Sequence, residues 1–290
     1  MKRMCLLIIL MCWLLFPRFL QAKDESRPPG FLPKVATHTE LLTVETKNIG
    51  NTIQFWVNNR TTYDLTVTIE LTKLQNMKSD EPLPRTLTVP GGATIEAMIL
   101  SQIQKSKPYE KNYRYYWITG SRHGKHDESC VYALPYRKGE THRVTQGFYG
   151  SFTHHGNEAH AIDWAMPEGT PVLAARDGVV IGVKSSSNKG GKNKVFADDA
   201  NFVMIRHGDG TTGEYKHFKY QGVKVSVGRT VKVGDLLGLS GNTGYSDTPH
   251  LHFFVYKALN GKTRQTYAIK FRTTSGGAET LHKDQEYTAP

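Results

Sequence analysis

Apolar and polar residues alternate strictly in a short segment of the first half of the chain. Between Leu65 and Thr72, four aliphatic side chains take every second position, and Thr or Glu fills the positions between them. A period of two places alternate side chains on opposite faces of an extended backbone. The segment therefore predicts a β-strand with one apolar face.

Similar short runs recur through the first half, separated by turn residues such as those of Pro90–Gly92. No segment after residue 23 shows the apolar repeat of about 3.6 residues that is typical of an amphipathic helix. Several short strands at this spacing indicate a sandwich of two sheets. We predict an Ig-like β-sandwich over residues 38–138, with strands at Ile53–Val57, Leu65–Thr72, Leu87–Val89, Ile95–Leu100 and Tyr113–Ile118.

The second half, residues 139–290, also carries short apolar runs between glycine-rich turns. It predicts a second β-rich domain, so the expected fold class of the whole chain is all-β. Thr266–Phe271 predicts one more strand, and the polar tail from Thr273 is expected at the periphery. The other predicted strands are Val172–Ala175, Gly178–Val183, Phe202–Arg206, Gly213–Phe218, Val231–Leu239 and Leu251–Tyr256.

The first 22 residues have the composition of a targeting segment. Lys2 and Arg3 precede an apolar run, Met4–Phe16, which is shorter than the ~20 residues that a membrane span needs. We predict a secretory signal peptide over residues 1–22, with an uncleaved N-terminal anchor as the alternative. Residues 23–37 are polar and proline-rich and predict a linker. The mature protein is expected to be exported, periplasmic or secreted, with no stable membrane insertion after cleavage.

Composition and charge narrow the class of partner. Of the 290 residues, 38% are hydrophobic and 22% are charged, which excludes a disordered chain and a multi-span membrane protein. Removal of residues 1–22 takes away Lys2, Arg3 and Arg18, which lowers the net charge from +11 to +8. This charge suits an anionic partner such as a cell-wall polymer, and export argues against nucleic acid. Cys130 is the one cysteine outside the signal peptide, so no disulfide within the mature chain is expected.

Histidines carry the candidate chemistry. His250 and His252 stand two apart in a predicted strand, so their side chains share one face and lie about 6.5–7 Å apart along it. Asp163, and His217 in an aromatic strand, add to this pair, whereas His207 is expected to be an exposed strand-end residue. A zinc ion in a hydrolase takes three ligands from His, Asp and Glu and leaves a fourth position for water. The inventory therefore predicts a zinc (Zn2+) site that supports hydrolysis.

Three stretches give the chain a specific resemblance. AIDWAMPEGTPVLAARDGVV, NFVMIRHGDGTTGEYKHF and VKVGDLLGLSGNTGYSDTPHLHF resemble the lysostaphin-type zinc endopeptidases, which cut peptide cross-bridges in bacterial peptidoglycan. The resemblance runs from about residue 145 to about residue 256. It implies a twisted antiparallel sheet whose groove holds the metal between loops. It also implies that Asp163 and His252 are zinc ligands and that His217 and His250 are the catalytic pair acting on the water and the oxyanion.

The first zinc ligand departs from the family pattern. The family places a His four residues before the Asp, where this chain has Ala159. His160 lies three residues before Asp163, so in a regular strand it would face away and could reach a metal only through a bulge. Some members of the family carry a Ser/Thr-His-x-Gly turn before the Asp strand, and the same hairpin here would place His154 beside Asp163. We favour His154 as the ligand, with His160 and then His155 as alternatives.

These observations predict a zinc metallo-endopeptidase that hydrolyses peptide cross-links of peptidoglycan and binds its peptide stems. One alternative is a non-catalytic wall-binding regulator of other hydrolases, which would bind zinc without cleaving. The other alternative is a secreted protease that acts on Gly-rich proteins and leaves the wall intact.

Overall fold

The computed structural model describes residues 41–290, which form strands, turns and two short 3₁₀ helices, Gly156–Glu158 and Lys194–Asp199. The predicted all-β fold class is confirmed. The predicted signal peptide and linker lie outside the described residues. Neither 3₁₀ helix, nor any other helical segment of residues 41–290, is long and apolar enough to cross a membrane.

Seven strands build the N-terminal unit, which we define as Leu42–Thr119. They are β1 Leu42–Ile49, β2 Thr52–Asn59, β3 Leu65–Gln75, β4 Met77–Ser79, β5 Arg85–Val89, β6 Thr94–Gln102 and β7 Glu110–Thr119. One sheet has the order β1-β2-β6-β4 and the other the order β5-β3-β7. Both sheets contribute to a single apolar core that includes Phe55, Leu65 and Leu100.

Strand β3 differs from its prediction on one face. Its aliphatic face is buried as expected, but Thr66 and Thr68 on the opposite face are buried as well. Thr68 contacts the second half of the chain, since its hydroxyl accepts a hydrogen bond of 2.8 Å from the backbone N–H of Gly261, and the Thr66 hydroxyl donates one of 2.8 Å to the carbonyl of Gly120. Alternation of polar and apolar residues therefore did not distinguish a solvent-facing side from a side that packs on another unit.

Seventeen further strands build the C-terminal unit, which we define as Val131–Thr288. They are β8 Val131–Ala133, β9 Thr141–Gln146, β10 Ile162–Ala165, β11 Pro171–Leu173, β12 Gly178–Lys184, β13 Gly190–Gly191, β14 Phe202–Arg206, β15 Thr212–Lys216, β16 Phe218–Val223, β17 Thr230–Val231, β18 Leu236–Ser240, β19 Gly244–Tyr245, β20 His250–Ala258, β21 Arg264–Thr266, β22 Lys270–Arg272, β23 Ala278–Glu279 and β24 Glu286–Thr288.

The principal sheet of this unit has the order β17-β12-β14-β15-β20-β10-β9-β24, and β21 pairs with β20 beside this path. Every pairing in it is antiparallel. A large apolar core on one of its faces includes Trp164, Tyr215 and Phe253. At the centre of the sheet, β15, β20 and β10 lie side by side. Asp163 lies on β10, and His250 and His252 lie on β20.

Two predicted strands are interrupted. Val231–Leu239 is divided into β17 and β18 by a turn at Gly234, whose φ of 86° lies in the left-handed region that glycine adopts without a steric penalty. Thr266–Phe271 is also divided, because β21 ends at Thr266 in the principal sheet and β22 starts at Lys270 in a smaller one.

The prediction of a peripheral tail is wrong. Strand β24 pairs with β9 at the edge of the principal sheet, and Leu281, Tyr287 and Ala289 are buried in the large core. The polar residues between Leu281 and Tyr287 are exposed, so the tail presents its apolar side chains to the core and its polar ones to solvent. The Tyr136 hydroxyl further secures the tail by donating a 2.7 Å hydrogen bond to the carbonyl of Tyr287.

The N-terminal unit packs on the same face of the principal sheet as His252. Along β20, the side chains of His252, Phe254 and Tyr256 alternate onto this face. The Tyr256 hydroxyl donates a 3.0 Å hydrogen bond to the carbonyl of Thr119, and Phe254 shares a small apolar cluster with Ile118. One face of β20 therefore carries a candidate site residue, His252, and also the residues that contact the N-terminal unit, Phe254 and Tyr256. The boundary between residues 138 and 139 stays a prediction.

Candidate metal centre

Strand register places Asp163 at the centre of the candidate site. Asp163 on β10 lies directly opposite His252 on β20, and opposite Gln146 of β9 on its other side. Directly opposed residues of antiparallel strands project to the same face, so these three side chains converge. Asp163 and His252 are both buried.

Three side chains form a group of metal-binding size. His154, Asp163 and His252 each offer one ligand atom, and these atoms lie within 4.8 Å of one another. The Nε2 of His154 is 3.1 Å from Asp163 Oδ2, and the Nδ1 of His252 is 2.8 Å from Asp163 Oδ1. Two imidazoles and a carboxylate are a donor set that zinc and related transition metals prefer.

The environment of His154 supports this interpretation. Its Nδ1 donates a 2.8 Å hydrogen bond to the carbonyl of Gly147, which leaves a lone pair on Nε2 in the neutral ring. That Nε2 is buried and makes no hydrogen bond within residues 41–290, although a carboxylate oxygen faces it. A lone pair directed at a carboxylate needs a cation or a proton between them, so the arrangement fits a metal ion.

The other two candidates for the first ligand point elsewhere. The Nδ1 of His160 is 2.8 Å from the Thr266 hydroxyl, and its Nε2 is 2.8 Å from the Tyr149 hydroxyl. His155 is exposed. The structure therefore brings His154 to Asp163 and keeps His160 and His155 apart from it.

His217 and His250 lie beside this group. Their ring centroids are 4.4 Å apart, and the His217 ring is 5.8 Å from that of His252. The Nδ1 of His217 donates a 2.6 Å hydrogen bond to the carbonyl of Thr243, and the Nδ1 of His250 a 2.8 Å bond to that of Thr248. Each ring consequently has its Nε2 lone pair available.

The backbone holds His217 in an uncommon conformation. Its φ of 70° lies in the left-handed region, which costs a residue with a side chain energy and ends β15 at Lys216. The short bond from its ring to Thr243 fixes the side chain in place. The sequence predicted that the strand continued through Phe218, and this turn is what directs His217 toward the site.

Burial and charge set the protonation of the group. Burial alone would raise the pKa of Asp163, but the neighbouring imidazoles of His252, His250 and His154 lower it well below its usual range. Burial opposes protonation of the His154 imidazole, yet the adjacent Asp163 carboxylate raises the pKa of this ring. Burial lowers the pKa of His252. The site therefore contains a carboxylate that stays charged in acid.

The pKa of His217 is lowered well below its usual range, first by burial and then by the charges of His250 and His252. The ring is therefore neutral near neutral pH, and its Nε2 accepts a proton in that state.

Two residues to which sequence reasoning gave no chemical role organise the site. The amide of Gln146 donates to Asp163 Oδ2 at 3.0 Å, while its oxygen accepts from the backbone N–H of Thr153, which precedes His154. Asn201 is fully buried, and its amide donates to the carbonyl of Phe218, the residue after His217. Gln146 stands outside the three stretches that carry the resemblance and Asn201 only opens the second of them, so the surroundings of Asp163 and His217 are what reveal their roles.

His207 contradicts its prediction. It is 2% exposed rather than at the surface, and its Nδ1 lies 2.8 Å from the carbonyl of Asp177. Burial lowers its pKa to about 4. A Cβ built on Gly213 would lie 2.8 Å from His207 Nε2, so the ring packs against the bare backbone of that glycine. It is a core residue of the sheet.

Comparisons with known proteins identify a family and several relatives that this chain resembles. Residues 157–266 match peptidase family M23. A protein described as an uncharacterized metalloprotease of Buchnera aphidicola is 34% identical over 151 residues, which cover 50% of this chain and 36% of the relative. The peptidoglycan DD-endopeptidase ShyA of Vibrio cholerae is 38% identical over 94 residues, covering 32% of this chain and 19% of the relative.

Lysostaphin of Staphylococcus simulans is 33% identical over 138 residues, which cover 47% of this chain and 24% of the relative. The chain thus spans about a third or less of the length of these curated relatives. The matched segment includes Asp163, His217, His250 and His252, while His154 lies just before it.

Proposed function

We propose that the chain, whose residues 157–266 match peptidase family M23, is a zinc-dependent endopeptidase that hydrolyses peptide cross-links of bacterial peptidoglycan. The match confirms the predicted resemblance to lysostaphin-type peptidases. The observation that carries the proposal is the convergence of His154 Nε2 and His252 Nδ1 on Asp163, beside the neighbouring rings of His217 and His250. The family implies a metal, and the donor set supports zinc.

His154, Asp163 and His252 hold the ion in this proposal. When bound, zinc polarises the scissile carbonyl and lowers the pKa of a water molecule. The hydrogen bond from His154 Nδ1 to Gly147 keeps the Nε2 lone pair directed at the ion. Gln146 keeps Asp163 and the His154 segment in register, since its side chain contacts both.

His217 and His250 move the protons of the reaction. The neutral His217 ring accepts a proton at Nε2 from the attacking water, because its Nδ1 is committed to Thr243. The oxygen of that water forms a bond to the peptide carbon, the C–N bond breaks, and the proton passes to the leaving amine. A ring of this pair that is protonated at Nε2 becomes a donor that stabilises the tetrahedral oxyanion. The Nε2 of His250 lies 3.9 Å from Asp163 Oδ1, so it faces the same space.

We place the protein outside the cytoplasmic membrane, periplasmic or secreted, where its substrate is found. The apolar N-terminal run and the excess of basic residues support this location and an anionic wall partner.

Digestion of isolated sacculi tests the proposal. Purified protein with zinc is expected to convert cross-linked muropeptide dimers to monomers, read by mass spectrometry, and a chelator is expected to stop the conversion. His217→Ala should abolish most of the conversion, whereas His155→Ala, which changes an exposed neighbour of the site, should leave it intact. Intact sacculi in the presence of zinc-loaded protein would contradict the proposal. Cleavage of casein or elastin under the same conditions would then identify a protease of soluble proteins.

A further inference from the structure

A row of charged side chains, two of them buried and two partly buried, lies directly behind the metal ligand His252. Lys216 on β15 is paired with His252 on β20, so the two side chains share a face of the sheet. The ammonium of Lys216 is 2.6 Å from Glu158 Oε1 and 3.4 Å from Glu214 Oε1. Glu214 in turn lies 3.1 Å from a guanidinium nitrogen of Arg264. We call Glu158, Lys216, Glu214 and Arg264 the charge row.

The charge row reaches His252 through Glu158. The Nδ1 of His252 faces Asp163, and its other ring nitrogen, Nε2, faces Glu158 Oε2 at 3.6 Å. This Nε2 is fully buried and makes no hydrogen bond to any residue of the described part of the chain. A buried ring nitrogen without a partner is costly, and native structures seldom leave one without a reason.

A metal ion at Nδ1 supplies the reason. Nδ1 can bind an ion only through its lone pair, so the ring proton must then reside on Nε2. A carboxylate beside that N–H stabilises this tautomer. A shift of about 0.4 Å brings the two atoms from 3.6 Å to the upper end of the usual hydrogen-bond range, about 3.2 Å.

We propose that Glu158 is a positioning residue for the metal centre: it holds the proton of His252 on Nε2 and thereby directs the Nδ1 lone pair to the ion. This inference rests on the proposed function. Glu158 follows His154 by four residues, so one short segment supplies both the first ligand and the carboxylate behind the last one. Lys216 keeps that carboxylate charged and in place.

A purely structural role for Glu158 predicts something different. If the carboxylate served only as the counter-ion of Lys216, its removal would lower the stability of the fold without changing the affinity of folded protein for zinc. The exposed pair of Lys73 and Glu110, with a separation of 2.7 Å, offers a matched carboxylate–ammonium contact far from the site. Glu110→Gln is therefore the control.

The test measures zinc affinity in the metal-free full chain by competition with a chromophoric chelator. We expect the Kd for zinc to rise by about 10–100-fold in Glu158→Ala, the range typical of partners that orient a metal ligand. Glu158→Gln keeps an acceptor oxygen without the charge and should show a smaller rise. Glu110→Gln should bind as the unmodified protein does.

A second measurement separates positioning from stability. In the zinc-loaded protein, the Nε2–H resonance of His252 should be shifted downfield and protected from exchange with water, and Glu158→Ala should remove both properties. An unchanged Kd in Glu158→Ala, or an unchanged resonance alongside a lower melting temperature, would overturn the inference. Failure of the unmodified protein to bind zinc would instead overturn the proposed function on which the inference rests.

Discussion

The two units differ in the polar side chains that they bury. The N-terminal unit buries only uncharged ones, Asn59 and four threonines. The C-terminal unit buries imidazoles, carboxylates, an ammonium and a guanidinium, among them His154, Asp163, Glu214 and Arg264. Asn59 shows how the first unit treats such a group, since its amide donates to the carbonyl of Val89 and its oxygen accepts from the hydroxyl of Thr61. In the second unit, His154 Nε2 and His252 Nε2 stay without a hydrogen bond among the described residues.

The difference in buried polar groups indicates that the N-terminal unit is built for stability and that the C-terminal unit carries the chemistry. Satisfied neutral groups strengthen a core at little cost, whereas buried ionisable groups with free nitrogen atoms weaken it unless a ligand completes them. His207 shows that a free buried nitrogen alone does not mark a site, because its Nε2 faces a glycine backbone. A site is marked instead by several such imidazoles that converge on one carboxylate, as His154 and His252 do on Asp163.

The largest effect is expected from loss of a ligand. His154→Ala should abolish both zinc retention and hydrolysis, because two ligands remain where three are needed. His160→Ala should retain zinc, since this ring contacts Thr266 and Tyr149 and not Asp163. Metal analysis of the dialysed proteins checks both. Full zinc in His154→Ala together with loss in His160→Ala would reverse the assignment.

Loss of His217 should leave the metal in place and remove a proton-transfer step. We expect kcat/KM of His217→Ala to fall by about 10²–10⁴-fold, the contribution typical of a general base. Zinc content should equal that of the unmodified protein, because this ring is not one of the three converging ligands. A variant with normal activity would show that the pair with His250 serves only packing.

A substitution in the N-terminal core should lower stability and leave zinc binding unchanged. Phe55 is fully buried, so Phe55→Ala should lower the free energy of unfolding by about 3–5 kcal/mol. The zinc affinity of the folded fraction should not change, because this core lies in the other unit. Urea denaturation combined with zinc titration checks the two quantities. A weakened zinc affinity would show that the units are coupled.

Acid should selectively weaken the core at His207. Its pKa in the folded protein is about 4, below the ordinary 6.5, so the unfolded chain takes up a proton first as pH falls. The stabilisation is complete above pH 6.5 and is lost progressively toward pH 4, by about 3 kcal/mol in total. Unfolding curves across this range should be less pH-dependent in His207→Gln by that amount. Equal slopes would contradict the buried neutral state.

The smallest effect is expected at the contact between the units. Lys262 forms an ion pair with Glu70 and lies over the ring of Tyr116, and both charged side chains are partly exposed. Exposed ion pairs contribute up to about 1 kcal/mol, so Lys262→Ala should lower the unfolding free energy by no more than this. Hydrolysis should be unchanged, and a loss of activity would indicate that the N-terminal unit shapes the site.

Much of the fold followed from the two-residue alternation of apolar side chains. Strands such as β3 and β14 lie where the pattern predicted them. The pattern failed where tertiary contacts decide: it did not indicate that Thr68 packs against Gly261, or that Tyr287 returns the tail to the sheet. Such contacts join residues far apart in the chain, and no local signal records them.

Sequence reasoning could predict the site residues that lie close together in the chain at a characteristic spacing. The two-residue interval between His250 and His252 places both rings on one face, and the structure shows both beside Asp163. Glu158 escaped notice because one carboxylate in a polar turn resembles any surface residue until β15 brings Lys216 to it. The role of such a residue depends on which side chains a neighbouring strand places beside it, and the sequence alone does not give that strand register.

Anomalous scattering at the zinc edge, measured on crystals of the zinc-loaded protein, tests the central claim most directly. We expect one strong peak within about 2.0–2.2 Å of His154 Nε2, an Asp163 oxygen and His252 Nδ1. A peak coordinated by His160 or His155 in place of His154, or no peak beside Asp163, would contradict the account.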